Sequence, residues 1–334
     1  MKAGGDLRAG VLAAAGGHIL ARAIHVTSVL GLADRFGSGP ETAGTLAAAT
    51  ATDEGALRRL LHFLARHGFF EESENGGYAL TDRGAMLRSD APAETAAVIQ
   101  SLGHGDVWAA FGDLADTVRS GFPRGRPAGP IYDPSGTLPH EASFSRAMAG
   151  YHAGEPEAVA EGYEFTDVVT VVDVGGSSGG LLSTILVRHP HLRGIVFDRP
   201  GIRPHAQATL AEHGLEARCS FAGGDFFAAV PEGGDLYILS HILHDWPDAD
   251  ALRILRSCRA AMANEARLAI IEAFRSPGGE GESEIPADLL LLAATQGRLR
   301  DVAEYGALLS SAGFRPTHTL ACGPRVSLIE AVPE

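Results

Sequence analysis

The apolar positions of this 334-residue chain follow two different spacing patterns. Over residues 17–32 and 54–67 they recur at three- and four-residue spacing, which predicts amphipathic helices. Thr52 or Asp53 can cap the second helix. Later in the chain they form short continuous runs, as in strands buried on both faces. The predicted buried stripe of the second helix consists of Leu57, Leu60, Leu61, Phe63 and Leu64.

Residues 68–81 follow these helices with two short strand-like runs around Asn75-Gly76, which predicts a β-hairpin. Helices followed by a hairpin indicate a winged helix, a fold best known for binding DNA. The charges weigh against that use, because residues 1–104 hold nine basic and eleven acidic residues and the hairpin carries three glutamates that repel phosphates. We therefore expect this part to pack against another chain, with a DNA-binding regulator as the alternative.

The remaining chain divides into a bridge and an alternating α/β part. The bridge is predicted to contain a helix over residues 108–118, a Pro/Gly-rich loop over 123–139 and a helix over 144–152. Strands are predicted over residues 171–174, 194–198, 217–222, 235–240 and 267–272.

A glycine turn follows the first of these strands. Gly175 and its neighbours allow a sharp turn and close approach to a ligand, and Ser177 or Ser178 can cap the next helix. Asp198 ends the second strand, where a βαβ unit places an acid for the ribose hydroxyls. The pattern indicates a cofactor that contains a nucleoside, with a merely structural turn as the alternative.

Two further strand ends carry candidate chemistry. Asp225, beside Phe226, can accept a hydrogen bond from an adenine amino group while the ring stacks on the base. His244 follows the fourth strand, at the sheet edge where open α/β folds bind ligands, and it is a natural general base. Glu272 ends the fifth strand and can hold the other imidazole N–H. A packing histidine, or a metal site of His241, His244 and Asp245, are the alternatives.

Composition narrows the functional classes. The net charge of −14 argues against nonspecific nucleic-acid binding and against anionic membrane surfaces. The three cysteines show neither metal-site spacing nor a disulfide framework, as in a reducing cytoplasm. We find no apolar stretch that approaches the ~20 residues of a membrane span. We expect a complete, cytoplasmic protein of two domains.

Several motifs in order resemble the S-adenosylmethionine-dependent small-molecule O-methyltransferases of the caffeate, acetylserotonin and bacterial polyketide-tailoring kind. The resemblance covers nearly the whole chain. It rests on the glycine motif over residues 172–179, on Asp198, on Gly224-Asp225-Phe226 and, most specifically, on Leu239-Ser-His-Ile-Leu-His-Asp-Trp246.

The resemblance implies an α/β fold: a Rossmann-like class I methyltransferase domain with a mostly parallel seven-stranded sheet and helices on both faces, over residues 105–334. Residues 1–104 would be a helical winged-helix dimerisation domain of a homodimer. The implied cofactor is S-adenosyl-L-methionine, and the implied substrate is a hydroxyl of a small aromatic or polyketide-like natural product. No metal, nucleic acid or membrane partner is expected. The implied site residues are His244 as base with Glu272 as its support, Gly175, Asp198, Gly224, Asp225, Phe226 and Ser240 for the cofactor, and Trp108, Phe144 and Met148 for the acceptor.

The chain departs from the family pattern at three positions. Leu299 stands where a second acid usually supports the base, so Glu272 would hold His244 alone. Ser177 replaces a common third glycine, and His152 replaces a common serine or threonine. Leu299 keeps an alternative open, namely an S-adenosylmethionine-binding enzyme of the same fold that catalyses decarboxylation, hydroxylation or a pericyclic step.

Overall fold

The computed structural model describes residues 2–37, 39–123, 141–275, 284–323 and 326–334, with side chains omitted at 2–6, 141–144 and 284–285. The loop predicted over 123–139 lies outside these ranges after its first residue. The chain divides into two compact units. The first comprises residues 1–105 with 146–151, and the second comprises residues 106–145 with 152–334.

The first unit combines helices with a small antiparallel sheet. The predicted hairpin is confirmed, since β2 pairs with β3, and β1 joins the other edge of β3. Asp53 caps α4 by accepting the Ala56 N–H at 2.8 Å. Within α4, Leu57, Leu61 and Leu64 are buried, while Leu60 and Phe63 pack at the margin of the core. The elements are α1 (Lys2–Ala15), α2 (Gly17–Val29), β1 (Glu41–Thr42), α3 (Ala43–Thr50), α4 (Glu54–Arg66), β2 (Phe70–Glu72), β3 (Gly77–Leu80), α5 (Asp82–Ala85) and α6 (Thr95–Leu102).

The second unit continues from the bridge into the α/β part. Helix α9 is divided between the units after Ser145. The helices are α7 (Gly105–Gly112), α8 (Leu114–Ser120), α9 (Glu141–Tyr151), α10 (Glu155–Gly162), α11 (Gly180–Arg188), α12 (Arg203–Glu212), α13 (Asp248–Ala261), α14 (Glu284–Ala294) and α15 (Val302–Ser311). The strands are β4 (Thr170–Val174), β5 (Arg193–Asp198), β6 (Cys219–Gly223), β7 (Leu236–Ser240), β8 (Arg267–Glu272), β9 (Phe314–Ala321) and β10 (Ser327–Pro333).

Within the described residues, seven strands form one sheet in the order β6-β5-β4-β7-β8-β10-β9. The first five are parallel, and β10 runs antiparallel to both of its neighbours. Alternate residues face two different cores, so that Leu236 and Ile238 enter one cluster while Tyr237 and Leu239 enter the other. The predicted fold class is confirmed.

Two local predictions are wrong. The helix expected over residues 108–118 is broken at Asp113 into α7 and α8, because glycine and aspartate are poor residues for a helix interior and Gly112-Asp113 places them together. Neither Ser177 nor Ser178 caps α11. Gly179 occupies the N-cap with φ +80° and without a side-chain hydrogen bond, and the Ser177 N–H is used by Asp198 instead.

The expectation about apolar stretches is also wrong. Residues Leu7–Val29 form a helical stretch of 23 residues that is long and apolar enough to cross a membrane by length and composition alone. A turn at Gly16 separates this stretch into α1 and α2. Five of its large apolar side chains are exposed in the single chain, and Leu7 and Val11 are 73% and 68% exposed, whereas Leu20 and Ile24 pack against the core of the first unit.

Candidate active site

The predicted cofactor and base residues lie at one edge of the large sheet. Gly175 follows β4, Asp198 ends β5, Ser240 ends β7 and Glu272 ends β8. These four strands are parallel neighbours, so their carboxyl ends meet at the same edge. In open α/β sheets this edge binds the ligand.

The glycine turn is held against the end of β5. Asp198 accepts the Ser177 N–H at 2.8 Å and the Arg199 N–H at 2.7 Å. Burial raises the pKa of Asp198, and these two N–H groups and the Arg199 guanidinium oppose that shift. Ser177 has φ +49°, in the left-handed region that favours glycine, which explains why a glycine is common there. Gly175 has φ +77°, and a Cβ on it would lie 2.4 Å from the Ile242 side chain.

Asp173, inside β4, is a site candidate that the sequence reasoning missed. Its Oδ2 is buried without a hydrogen-bond partner among the described residues, and a Cβ on Gly176 would lie 2.6 Å from that oxygen. Burial and the charge of Asp198 raise the pKa of Asp173 to about 7. An acid inside an otherwise apolar strand was the available signal. This unpaired oxygen beside the glycine turn fits a ligand with a cationic or N–H group, and S-adenosylmethionine has an ammonium and a sulfonium.

The segment after β6 joins the same edge. The Gly224 N–H donates to the Asp198 carbonyl at 2.9 Å, and a Cβ on Gly224 would lie 2.5 Å from the Phe197 ring. Asp225 is exposed and accepts the Phe227 N–H at 2.9 Å. The half-buried Phe226 packs edge-on against Trp246, with 5.9 Å between ring centroids. The sequence reasoning did not assign Trp246 to the site, although it closes the most specific motif.

His244 and Glu272 form the closest ionisable pair at this edge. His244 lies in the 3₁₀ turn Leu243–Asp245 that follows β7, and its Nδ1 is 2.5 Å from Glu272 Oε2. The other oxygen of the fully buried Glu272 accepts the N–H groups of Leu243 and His244, at 3.0 and 3.2 Å. Glu272 therefore fixes both the ring and the backbone of the turn. Because Nδ1 is bonded to Glu272, Nε2 is the ring nitrogen that can contact the hydroxyl of a substrate.

The charges around His244 favour its protonated form. Burial alone lowers the pKa of His244, but the negative charges of Glu272 and Asp245 outweigh it and raise the value to about 9. Burial raises the pKa of Glu272, yet the neighbouring His244 holds it below the ordinary value. The pair is thus an imidazolium–carboxylate at neutral pH, and the base must lose a proton before it can accept one.

Residues 297–300 clamp the turn that carries His244. The Arg298 N–H donates to the His244 carbonyl at 2.9 Å, and a Cβ on Gly297 would lie only 1.8 Å from that carbonyl oxygen. The fully buried Arg300 donates to the carbonyls of Leu243 and Trp246, each at 2.7 Å. In the sequence, only the missing acid at Leu299 attracted attention in this segment. The roles of Gly297 and Arg300 in holding the turn were therefore not predicted.

Leu299 itself is buried, and its N–H donates to Asp288 at 2.8 Å. Support for His244 in the described residues therefore centres on Glu272, as predicted, with Asp245 Oδ1 at 3.8 Å from His244 Nε2.

Three more ionisable side chains adjoin the base. Glu155 Oε2 lies 2.7 Å from His241 Nε2 and 3.1 Å from His152 Nδ1, and the two imidazoles stack with 3.7 Å between centroids. His241 Nδ1 is 3.9 Å from Glu272 Oε2. The metal trio of His241, His244 and Asp245, an alternative left open by the sequence, differs from the two groups that the structure brings together. The side chains of residues 152, 155 and 241, and those of 241, 244 and 272, are close enough to surround a cation. In both groups the carboxylate oxygen already bonds an imidazole, so we assign no metal ligands, and the absence of a metal stays a prediction.

The residues predicted for the acceptor are divided between the two units. Trp108 lies half-buried on α7 in the second unit, and Met148 lies half-buried on α9 in the first. Helix α9 includes Phe144, whose side chain lies outside the described part. Their assignment to an acceptor pocket stays a prediction.

Comparison with known proteins identifies the family. The sequence profile of the O-methyltransferase domain matches residues 111–315, more than half of the chain. The chain belongs to the O-methyltransferase family. The profile of the O-methyltransferase dimerisation domain matches residues 12–90 of this O-methyltransferase, in the region predicted for that domain.

Individual relatives agree over nearly the full length. The O-methyltransferase SfmM3 of Streptomyces lavendulae is 40% identical over 93% of this chain and 96% of its own. The structure of the mitomycin 7-O-methyltransferase MmcR has a TM-score of 0.94 at 34% identity, covering 100% and 99% of the two chains. The O-methyltransferase NcsB1 of neocarzinostatin biosynthesis, in complex with S-adenosylmethionine and 2-hydroxy-5-methyl naphthoic acid, has a TM-score of 0.84 at 32% identity, covering 94% and 96%.

One relative is named for a different reaction. The aclacinomycin 10-hydroxylase RdmB of Streptomyces purpurascens is 35% identical over 87% of this chain and 80% of its own. The fold and the length of the match therefore do not by themselves separate methyl transfer from hydroxylation.

Proposed function

We propose that the protein moves the methyl group of S-adenosylmethionine to a hydroxyl of a small aromatic natural product, with His244 as the general base. The enzyme class and the cofactor are those of the family, and solved relatives hold S-adenosylmethionine or S-adenosylhomocysteine. The observation that carries the proposal for the base is the His244–Glu272 pair at the ligand-binding edge.

The cofactor supplies an electrophilic methyl group bonded to a sulfonium, so the chain has little covalent chemistry to perform. Its tasks are to align the acceptor oxygen and to remove the hydroxyl proton. His244 Nε2 takes that proton, and Glu272 stabilises the imidazolium through Nδ1. Proton transfer to a placed base typically contributes about 10²–10⁴-fold, and alignment can contribute roughly 7–11 kcal/mol.

The cofactor residues follow from the same edge. Asp198 is held by two backbone N–H groups and would accept from the ribose hydroxyls. Gly175 and Gly224 keep the backbone free of side chains that would fill the turn. Asp225 and Phe226 would receive the adenine, and Ser240, at the end of β7, would contact the cofactor from the same sheet edge. We add Asp173, whose unpaired oxygen would accept from the cofactor's ammonium.

A hydroxylation of the same type of substrate is the second candidate. It is favoured by the relative named as a hydroxylase and by Leu299 in place of the usual acid. The His244–Glu272 pair favours methyl transfer, because a base poised at an acceptor serves that reaction directly.

We further propose a homodimer. The dimerisation profile covers residues 12–90. The exposed apolar side chains on α1 and α2 favour burial against a partner surface, because their exposure to water is unfavourable. The same need accounts for the apolar stretch Leu7–Val29 without a membrane. The cytoplasmic location and the lack of nucleic-acid and membrane partners stay predictions.

Chromatography of reaction products tests the main proposal. The purified protein is incubated with S-adenosylmethionine and a panel of phenolic and naphthoate acceptors, and S-adenosylhomocysteine is quantified against consumed acceptor. Methyl transfer gives one S-adenosylhomocysteine for each acceptor consumed. Turnover of an acceptor without this by-product would establish the second candidate and overturn the first.

A further inference from the structure

Five ionisable side chains form a continuous series that leads away from the base. In order they are His244, Glu272, His241, Glu155 and His152, with closest N–O distances of 2.5, 3.9, 2.7 and 3.1 Å between successive members. Imidazole and carboxylate alternate. Each imidazole can receive a proton on one nitrogen and release one from the other, and each carboxylate contacts both of its neighbouring rings through its Oε2. The series runs from His244 through the fully buried Glu272 to His152, whose side chain is 30% exposed.

The base needs such a route because of its own surroundings. In each turnover the acceptor's O–H bond breaks and its proton goes to His244 Nε2. The electron pair on oxygen forms the new O–C bond, and the methyl C–S bond breaks with its electrons left on sulfur, which gives S-adenosylhomocysteine. His244 holds a proton strongly, since its pKa is raised to about 9 by Glu272 and Asp245. Nε2 faces the acceptor, and Nδ1 faces only the buried Glu272. Between turnovers the proton must therefore return through the acceptor site or leave through Glu272.

We propose that His241, Glu155 and His152 are the proton outlet of His244. This inference rests on the proposed function. A proton arriving at His244 Nε2 releases the Nδ1 proton to Glu272, which passes one to His241 Nδ1. His241 Nε2 passes a proton to Glu155, Glu155 passes one to His152, and His152 releases one to water, so one proton enters and one leaves. Exchange of the His244 Nε2 proton for an Nδ1 proton, with the matching exchange in the other two rings, then restores the starting tautomers before the next turnover. The 3.9 Å separation between Glu272 and His241 exceeds a hydrogen bond, and one bridging water or a small ring rotation would close it.

The charges along the series suit this role. Burial raises the pKa of Glu155, but the two histidines that it bonds dominate and bring it to about 2, so Glu155 is a carboxylate. Burial and the neighbouring His152 and His244 lower the pKa of His241, while Glu155 and Glu272 oppose the shift. His241 is therefore neutral at rest, and a proton that it receives is readily passed on. Arg300, which faces His244 from the clamp, adds a positive charge that drives the proton outward.

The backbone aims His241 at both carboxylates. His241 has φ +54°, a left-handed conformation that is uncommon for a residue other than glycine. Unusual backbone of this kind persists when surrounding contacts hold it, and it clusters at functional sites. Here the His241 N–H is held by the Ile271 carbonyl at 3.0 Å, and the ring bridges Glu155 and Glu272.

Glu155, His241 and His152 act through His244 and are positioning residues, so the test needs a readout that structure alone would not move. The variants are Glu155→Gln and His241→Asn, the latter because asparagine tolerates positive φ. The matched control is Glu72→Gln, which removes the carboxylate of the exposed His62–Glu72 pair at 2.8 Å. The first turnover of premixed enzyme and the steady-state rate are measured separately at pH 9.5, where most of His244 starts in its base form, with and without added imidazole as a small diffusible buffer.

We expect both variants to keep the first turnover within about twofold and to lose about tenfold in steady-state rate. Added imidazole should restore most of that loss, and Glu72→Gln should behave as wild type. An equal loss in both phases without rescue, or no loss at all, would overturn the outlet. Stoichiometric zinc retained by the purified protein would also overturn it, because metal-bound nitrogens cannot carry protons. A wild type that forms no S-adenosylhomocysteine would instead refute the proposed function.

Discussion

Glu272 makes three hydrogen bonds to the turn of His244, one to the ring and two to backbone N–H groups. A buried carboxylate with this many donors fixes geometry as well as charge. The two effects separate by substitution, because glutamine keeps the acceptor oxygen for the backbone and removes the negative charge. At the scale of single residues, the absence of a second acid at Leu299 is thus offset by the multiple bonds of one acid.

Removal of the base should abolish most methyl transfer without affecting the cofactor. We expect His244→Ala to lower kcat by about 10²–10⁴-fold, the usual contribution of a placed base. Glu272→Gln should lower kcat by less, because the ring stays oriented. Calorimetry with S-adenosylmethionine should give nearly unchanged affinity for both variants. A cofactor affinity that falls in parallel with kcat would show that His244 acts in binding.

The raised pKa of His244 predicts the pH profile. The base form is scarce at pH 7 and grows as the pH approaches about 9, so kcat should rise roughly tenfold per unit below that value and then level off. Glu272→Gln removes the main charge that raises this pKa, so its profile should shift to lower pH. Both proteins are assayed on one acceptor from pH 6 to 10, so that ionisation of the acceptor is common to both. Identical profiles would contradict the assignment.

The buried Asp173, beside the glycine turn, should make the stability of the fold depend on pH. Its pKa is raised from 3.8 to about 7 in the folded protein, so its contribution is fully present below pH 3.8 and is lost as the pH rises through 7. Asp173→Asn cannot ionise and escapes this loss. We therefore compare the unfolding free energy of the Asp173→Asn variant with that of wild type at pH 4 and at pH 8. The difference should move in favour of the variant by up to about 4 kcal/mol, as a three-unit pKa shift implies. Denaturant titrations without cofactor measure this gain, and the exposed Asp167→Asn should show none.

At the scale of elements, residues 297–300, which precede α15, fix the position of the turn Leu243–Asp245 that carries His244. Gly297 packs so closely under His244 that any side chain would meet main-chain atoms, which cannot rotate away. Gly306, on α15, is the opposite case, since nothing lies within 4 Å of the Cβ it lacks.

Gly297→Ala should therefore displace the base turn. We expect kcat to fall by about 10²-fold or more, the usual effect of a misplacement near 1 Å. Gly306→Ala is the matched control and should be neutral or up to about 1 kcal/mol stabilising, because alanine favours a helix. Activity and thermal unfolding are measured for both variants. Full activity of Gly297→Ala would mean that the turn does not depend on this contact.

The elements also show which features the sequence could reveal. Every strand predicted in the second half was found, with β8 at its predicted bounds, because a continuous apolar run has few other uses in an α/β chain. The hairpin was predicted from Asn75-Gly76 for a similar local reason. The break at Asp113 and the glycine cap of α11 were missed, since each depends on which of several local hydrogen bonds the fold selects.

The site was less readable than the fold. The His244–Glu272 pair was predicted, because Glu272 ends β8, His244 follows the end of the neighbouring β7, and the parallel sheet brings these ends together. Asp173, Arg300 and the His241–Glu155–His152 cluster were not. Their importance comes from burial and from contacts between distant segments, such as the 86 positions that separate Glu155 from His241. Spacing along the chain does not encode such contacts.

At the scale of the whole molecule, the first unit has more apolar surface than a single chain can bury. Leu7, Val11, Leu12, Ile19 and Val29 are all more than half exposed on α1 and α2. A concentration of exposed large apolar side chains in one segment favours an interface or a membrane contact. A second copy of the chain is the cover that the dimerisation profile favours, since its match begins at residue 12 and continues through α2.

A charge on this surface should separate the two chains. We expect wild type to have the mass of two chains by light scattering at micromolar concentration, as a two-fold interface uses the same surface on both. The double variant Leu7→Lys and Val11→Lys should have the mass of one chain, because burying unpaired ammonium groups is costly. Val187→Lys, a similarly exposed position on α11, is the control and should stay dimeric. A monomeric wild type would contradict the interface, whereas binding to lipid vesicles that the double variant loses would assign α1 and α2 to a membrane.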